Sequence, residues 1–135
     1  MVFWLASPEK EAIAAITVYK SPTCGCCKEW ISHLERHDFA VSVVNRNDVL
    51  PKKRELGVPT RLYSCHTARV AGYVVEGHVP AEDIMRLLER KPNIRGIGVA
   101  GMPIGSPGME QGSRKDPYTV FAFDKSHNTS VFSRH

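Results

Sequence analysis

The sequence lacks any hydrophobic run long enough to cross a membrane. Its longest apolar stretches, such as residues 40–44 and 70–75, are far shorter than the roughly 20 residues that a membrane-spanning helix requires. The N-terminus, MVFWLASP, has no basic region, and its apolar stretch is too short for the core of a signal peptide. We therefore expect no membrane span, and the N-terminus does not by itself indicate export.

The sequence also lacks a block of like charge and the cysteine content of a disulfide scaffold. Its 18 basic and 14 acidic residues give a net charge of +4, and the basic residues are scattered or in short groups. This pattern does not indicate nucleic-acid binding. Four cysteines are too few for a disulfide-stapled fold, and three of them lie within four positions, where pairing with one another is expected to be strained. The cluster therefore indicates a metal or redox site.

Residues 24–27, with the sequence CGCC, carry the chemistry predicted for this chain. Cys24 and Cys27 have C-x-x-C spacing, Gly25 permits a tight turn, and Lys28 places a positive charge beside the sulfurs. A helix that begins here points its free N–H groups and the positive end of its dipole at the thiols, which favours the thiolate form. Thiolates attack disulfides and bind soft metals. Cys26 adds a third sulfur, which a dithiol exchange motif does not need.

The hydrophobic pattern predicts the order β-α-β-(α)-β-β-α. Strands are expected at residues 16–19, 39–44, 61–64 running on toward 70, and 73–76, with a hairpin turn at Ala71 and Gly72. Amphipathic helices are expected from Cys27 and from Ala81, the second ending before Pro92. Residues 93–117 are predicted to be a long Gly/Pro loop, and residues 118–123 and 130–132 a terminal hairpin. The order indicates a small two-layer α/β sheet.

A C-x-x-C at the first strand-to-helix junction of such a sheet resembles the thioredoxin-like fold. The chain has Cys26 where the thioredoxin pattern has proline, and Thr23 where that pattern commonly has an aromatic residue. The segment Val58-Pro59-Thr60 resembles the one that carries a cis-proline beside the active site, so the resemblance implies a cis Pro59 facing the cysteines. The expected fold is therefore a thioredoxin-like two-layer α/β fold, with a Gly/Pro/Met-rich loop and a C-terminal hairpin appended.

At 135 residues, and with no internal repeat or low-complexity tract, the chain is expected to form one domain. We divide it into an N-terminal arm (1–15), a thioredoxin-like core (16–92), and a Met-containing loop with a C-terminal hairpin that belongs to the same domain (93–135).

Four motifs narrow the resemblance to the bacterial copper-resistance family called CopG, long described as a domain of unknown function. They are YKSPTCGCC (19–27), SCHTA (64–68), GYVVEGHVP (72–80) and GMPIGSPGME (101–110). The resemblance covers about residues 16–135. It implies a thioredoxin-like fold, a periplasmic location, and handling of copper through cysteine sulfur together with redox activity.

The predicted copper site combines the cysteine cluster with residues of the later motifs. The candidate ligands are Cys24, Cys26, Cys27, Cys65, His66, Met102 and Met109. Thiolate and thioether ligands select Cu(I), and bridging sulfurs allow more than one ion. His78, which precedes the second helix, is a further candidate. Met85 is interpreted as packing, and the remaining histidines, His33, His37, His127 and His135, as surface residues.

Two functions from different classes fit these residues. The first is a copper-binding protein of periplasmic copper resistance that holds one or several Cu(I) ions, with copper ions and other copper-resistance proteins as its partners. The alternative is a thiol–disulfide oxidoreductase in which Cys24 attacks and Cys27 resolves. The surplus cysteines and methionines favour the first, and cycling of copper between oxidation states is left open. Structural zinc is disfavoured, because the adjacent Cys65 and His66 cannot easily chelate one tetrahedral ion together.

Overall fold

The computed structural model describes residues 13–135, in which seven strands form one mixed sheet with three α-helices. The α/β class predicted from the sequence is confirmed. In chain order the elements are β1 (Ala15–Lys20), α1 (Gly25–Arg36), β2 (Ala40–Asn45), α2 (Leu50–Glu55), a 3₁₀ turn (Thr60–Leu62), β3 (His66–Val70), β4 (Tyr73–Glu76), α3 (Ala81–Arg90), β5 (Gly96–Gly98), β6 (Thr119–Phe123) and β7 (Thr129–Arg134). Most of the predicted N-terminal arm, residues 1–12, lies outside the described residues.

The strands lie in the order β2-β1-β3-β4-β5-β6-β7. Strands β1 and β2 are parallel, as the crossover through α1 requires, whereas β3 runs antiparallel to both β1 and β4. The β3–β4 hairpin turns at Ala71 and Gly72, which both have positive φ, the backbone that a tight two-residue hairpin needs. The parallel crossover pair and the hairpin are as predicted. The antiparallel pairing of β1 with β3 was not predicted, and it places the end of β1, which leads to Cys24, beside the start of β3, which follows Cys65.

Helices α1 and α3 cover one face of the sheet because each presents an apolar stripe. In α1 the buried residues are Cys27, Trp30, Ile31 and Leu34, at the spacing of one helical face. Helix α3 buries Ala81, Ile84 and Leu87 in the same core, and Met85 packs against it as predicted. Within residues 13–135 no helix is long and apolar enough to cross a bilayer.

A second, smaller cluster lies on the other face of the sheet. Leu56, Val58 and Leu62 pack there with Val74 of β4 and Phe123 of β6. The region from α2 to the 3₁₀ turn therefore forms a partial third layer. It also carries the chain from β2 back to Cys65 at the start of β3.

Two local predictions in this region are wrong. A strand was predicted to begin at residue 61, but residues 60–62 form a 3₁₀ turn. The amide of Leu62 donates to the carbonyl of Pro59, and the Leu62 side chain is buried. The described residues contain no cis peptide bond, so Pro59 is trans. Its φ of −60° and ψ of 136° place it directly before the 3₁₀ turn as the capping residue.

Strand β5 was not predicted, and it joins the C-terminal hairpin to the sheet. It is only three residues long and pairs with β4 on one side and β6 on the other. Gly96 is required at this position, because a Cβ there would lie 2.1 Å from the carbonyl oxygen of Val74. Two glycines in three residues are typical of a loop, yet here they permit a close approach of strands.

His33 was predicted to be a surface residue, but it is partly buried and caps a neighbouring helix. Its Nε2 accepts a hydrogen bond from the Ala81 amide at the start of α3, at 3.0 Å. Burial, and then the nearby charge of His37, lower the pKa of His33 from 6.5 to about 4. Protonation would remove the acceptor and place a positive charge at the positive end of the α3 dipole.

We therefore expect the His33→Gln variant to lose less stability than the wild-type protein as the pH falls from 6.5 to 4. The folded protein holds the His33 pKa below its unfolded value, so the unfolded chain binds more protons between pH 4 and 6.5. Stability from His33 is present above pH 6.5 and is lost as the pH falls toward 4. Denaturant unfolding across this range should give a shallower pH dependence for His33→Gln. The exposed His127→Asn is the control, and a wild-type pH dependence in His33→Gln would contradict the capping role.

Candidate metal centre

Cys24 and Cys27 are joined by a disulfide at the beginning of α1. Cys24 is the N-cap of the helix, and its sulfur accepts a hydrogen bond from the Cys27 amide at 3.3 Å. The first helical turn brings the two Cα atoms to 5.3 Å, within the usual range for a disulfide. The expectation that pairing within the cluster is strained is therefore corrected for this pair. Cys24 is partly exposed, whereas Cys27 is fully buried.

Cys26 lies at the centre of a group of sulfur atoms. Its Sγ is 3.4 Å from the Sγ of Cys24, 3.8 Å from the Sγ of Cys65 and 3.8 Å from the Sδ of Met102. One ligand atom from each of the four cysteines lies within 4.8 Å of the others. Three separate segments thus bring their sulfur atoms to one point: the α1 turn, the start of β3 and the Gly/Pro loop.

Two buried histidines point lone pairs at Cys65. His78 donates from Nδ1 to the carbonyl of Pro107 at 2.7 Å, which leaves its Nε2 as an acceptor 3.1 Å from the Cys65 sulfur. His66 donates from Nε2 to the carbonyl of Gly77 at 2.8 Å, which leaves its Nδ1 3.3 Å from the same sulfur. Each outer hydrogen bond fixes the tautomer and aims the free nitrogen, as in metal-binding histidines.

The electrostatics of the site keep these groups uncharged in the metal-free protein. Burial lowers the pKa of His78, and it lowers that of His66 well below the usual value, with His78 and Lys53 adding to the effect. Burial, and then the neighbouring Cys26, raise the pKa of Cys65 to about 11. A metal ion that binds the Cys65 thiolate must therefore displace its proton.

A buried ion pair lies behind Cys65. The ammonium of Lys53, from α2, contacts the carboxylate of Glu76, from β4, and both side chains are almost completely buried. Glu76 Oε2 also accepts from the Ser64 amide at 2.8 Å, and Lys53 Nζ donates to the His66 carbonyl at 3.1 Å. The pair therefore holds the Ser64 amide and the His66 carbonyl, one residue on each side of Cys65.

The Gly/Pro loop closes the site from the side of α1. Gly108 has a φ of +90°, and a Cβ at this residue would lie 2.9 Å from the Cys26 carbonyl oxygen and 3.0 Å from His78 Nδ1. Only glycine lets the loop backbone approach so closely. Met102 reaches the sulfur cluster and remains half exposed. Met109 follows Gly108 in a turn closed by the Ser106 carbonyl, and its role as a ligand stays a prediction.

The structure brings together most of the predicted ligands, and it places a further candidate, His78, beside them. Cys24, Cys26, Cys27, Cys65, His66 and Met102 lie in one cluster. His78, which was only a further candidate, is as close to Cys65 as His66 is. The sequence feature that indicates His78 as a ligand is its position in the loop after β4, two residues beyond Glu76. Of the predicted surface histidines, His37 and His127 are exposed, whereas His135 packs on Tyr118 and pairs with Asp83.

The donor set and its spacing fit a soft metal ion. A metal–thiolate bond is about 2.3 Å at zinc sites, so two sulfurs on one ion lie at most about 4.6 Å apart. The sulfur distances of 3.4 and 3.8 Å meet this condition. Thiolate, thioether and neutral imidazole together favour Cu(I), whereas hard ions such as Mg²⁺ and Ca²⁺ prefer oxygen. Cys24 and Cys27 join such a set only after their disulfide is reduced.

Comparison with known proteins gives a match to one family model. A family model described as a protein of unknown function, DUF411, matches residues 62–109, which include Cys65, His66, His78, Met102 and Met109. A comparison with curated proteins gives no match.

Two solved structures resemble the whole fold, and both are forms of a copper resistance protein, CopG. For form 2 the identity is 47%, the match covers 90% of this chain and 98% of the other, and the TM-score is 0.86. For form 1 the identity is again 47%, with 90% and 96% coverage and a TM-score of 0.85. At this identity and coverage, the chain belongs to the CopG family of copper-resistance proteins.

Proposed function

We propose that this protein binds Cu(I) in the cluster formed by Cys24, Cys26, Cys27, Cys65 and Met102, with an imidazole from His78 or His66. One observation carries the proposal: sulfur atoms from three separate segments lie within 3.8 Å of the Cys26 sulfur, and two neutral imidazole lone pairs face the neighbouring Cys65 sulfur. Membership of a copper-resistance family supports copper as the metal. Met109 belongs to the proposed ligand set through its place in the same loop.

Redox chemistry is part of this proposal because Cys24 and Cys27 are joined in a disulfide and can bind metal as thiolates only after it is reduced. A thiol reductant must deliver two electrons and two protons to the Cys24–Cys27 bond, which leaves two thiols and one new disulfide on the reductant. Four thiolates that bridge metal ions offer room for several Cu(I) ions. The family resemblance makes a periplasmic location, and exchange of copper with other copper-resistance proteins, part of the proposal.

A thiol–disulfide oxidoreductase is the second candidate, and the disulfide itself favours it. Cys24 is partly exposed at a helix N-terminus and Cys27 is buried behind it, which suits an attacking and a resolving thiol. In that reaction, which starts from the reduced pair, the Cys24 thiolate attacks a substrate disulfide and releases one substrate thiol. The Cys27 thiol then attacks the Cys24 sulfur of the mixed disulfide, which releases the second substrate thiol and forms the Cys24–Cys27 disulfide again. Such a reaction needs neither Cys65 nor Met102.

A Cu(I) competition titration on the reduced, oxygen-free protein tests the proposed function. The protein should withdraw Cu(I) from a chromogenic chelator, and X-ray absorption should show a sulfur-dominated Cu(I) environment. An insulin reduction assay on the same sample tests the alternative. Failure to compete for Cu(I), combined with rapid insulin reduction, would overturn the copper proposal in favour of the oxidoreductase.

Replacing Met102 and Met109 with leucine should reduce the affinity for Cu(I) or the number of ions bound. Each substitution removes a thioether but keeps the volume and the apolar character, usually at a cost under about 1.5 kcal/mol. The thermal unfolding of the metal-free protein should therefore change little. Met85→Leu is the matched control, because Met85 packs against the core away from the cluster. Equal copper titrations for the double variant and Met85→Leu would show that the loop methionines only pack.

A further inference from the structure

We propose that Lys53 and Glu76 are positioning residues that hold Cys65 at the copper site. This inference deepens the proposed function and rests on it. Within residues 13–135, neither side chain forms a hydrogen bond with a sulfur atom. Both act on the backbone: Glu76 Oε2 holds the amide of Ser64, and Lys53 Nζ holds the carbonyl of His66. The amide of Ser64 and the carbonyl of His66, one residue on each side of Cys65, are thereby linked through a single ion pair.

The position of Cys65 needs such support because the residue belongs to no regular element. The 3₁₀ turn ends at Leu62 and β3 begins at His66, so residues 63–65 belong to neither a helix nor a strand. The Cys65 sulfur must nevertheless lie within reach of Cys26, from α1, and of His78, from the loop after β4. The two anchors come from α2 and β4. Strand β4 is paired on both sides in the sheet, and α2, in which Lys53 is the buried residue, is followed directly by Leu56 of the smaller cluster.

The buried ion pair is costly to the fold. Burying two charges is often no better for stability than burying two apolar side chains of similar size. Here Lys53 is 2% exposed and Glu76 is fully buried. Positioning of Cys65 gives a reason for a feature that stability alone does not require.

Removing both charges together separates the positioning role from fold stability. The Lys53→Met/Glu76→Leu variant leaves no unpaired charge, so its fold should persist, and near-UV circular dichroism of the metal-free protein verifies this. We expect its affinity for Cu(I) to fall about 10- to 100-fold, the usual effect of losing a group that orients a metal ligand. Lys53→Met/Glu76→Gln keeps an acceptor for the Ser64 amide and should lose less. If the first variant does not fold, this second variant carries the test.

A double-mutant cycle with Cys65→Ser shows whether the effect passes through Cys65. In the Cys65→Ser background, the Lys53→Met/Glu76→Leu change should cause no further loss of Cu(I) affinity, because the thiolate that it positions is already absent. Unchanged affinity in a folded charge-free variant, or an equal loss with and without Cys65, would overturn the proposal. In either case the copper site itself would stand. Absence of tight Cu(I) binding in the wild-type protein would instead overturn the proposed function.

Discussion

Replacing Cys24 with serine should lower the affinity for Cu(I) by more than about 100-fold. Loss of an outer hydrogen-bonding partner of a metal ligand costs about 10- to 100-fold, and loss of the ligand itself should cost more. The fold should tolerate the change because Cys24 is the N-cap of α1, a position at which serine is among the preferred residues. The measurement is a competition titration against a Cu(I) chelator, with the wild-type protein reduced.

Stability must be compared between the reduced wild-type protein and Cys24→Ser, because the disulfide would otherwise contribute to the wild type alone. We expect the free energies of unfolding to agree within about 1 kcal/mol. Thr23→Ser, in the exposed residue next to Cys24, is the control and should bind copper like the wild type. A folded Cys24→Ser protein with wild-type affinity would exclude Cys24 from the site.

Replacing Lys53 with methionine should destabilise the protein by about 3–5 kcal/mol, the cost of leaving one partner of a buried ion pair without the other. Glu76 would keep its hydrogen bond from Ser64 but would lose the cation beside it. Burial already raises the pKa of Glu76, and Lys53 opposes this shift. Urea denaturation of the metal-free protein at neutral pH measures the effect.

The neighbouring Lys52 provides a matched control for this experiment. Its ammonium pairs at 3.1 Å with Glu55, which is 66% exposed, and it lies 4.6 Å from the centre of the Tyr19 ring. The Lys52 side chain itself is 13% exposed, but its carboxylate partner lies in solvent, and contacts that solvent reaches are each worth about 1 kcal/mol or less. Lys52→Met should therefore be much less destabilising than Lys53→Met. Similar losses of unfolding free energy for the two variants would show that the buried pair contributes no more to stability than a surface pair does.

The sequence was sufficient to predict the elements that depend on local patterns. The stripe of Cys27, Trp30, Ile31 and Leu34 has helical periodicity, and the turn at Ala71 and Gly72 has hairpin chemistry. Both predict structure from a few neighbouring residues, and both are confirmed. The identity of the soft donors is also a property of the sequence, since cysteine and methionine sulfur favour Cu(I) wherever they meet.

Contacts between distant segments could not be predicted in the same way. Strand β5 has two glycines in three residues and no pattern of its own, and it forms only because β4 and β6 lie on either side of it. The resemblance to the thioredoxin-like fold implies a cis Pro59, whereas the described backbone is trans. The following 3₁₀ turn, which replaces a predicted strand, is stabilised by burial of Leu62 in the smaller cluster.

For the proposed copper site, the sequence by itself determined which ligand types are present and that three cysteines lie at the start of one helix. Only the tertiary structure decided which residues meet. It selected His78 alongside His66, placed Met102 on Cys26, and put Lys53 and Glu76 behind Cys65. The physical reason is distance along the chain: Cys26 and Met102 are 76 residues apart, and Cys65 lies between them. Their approach depends on how α1, β3, β4 and the Gly/Pro loop pack together, and no local sequence pattern predicts that packing.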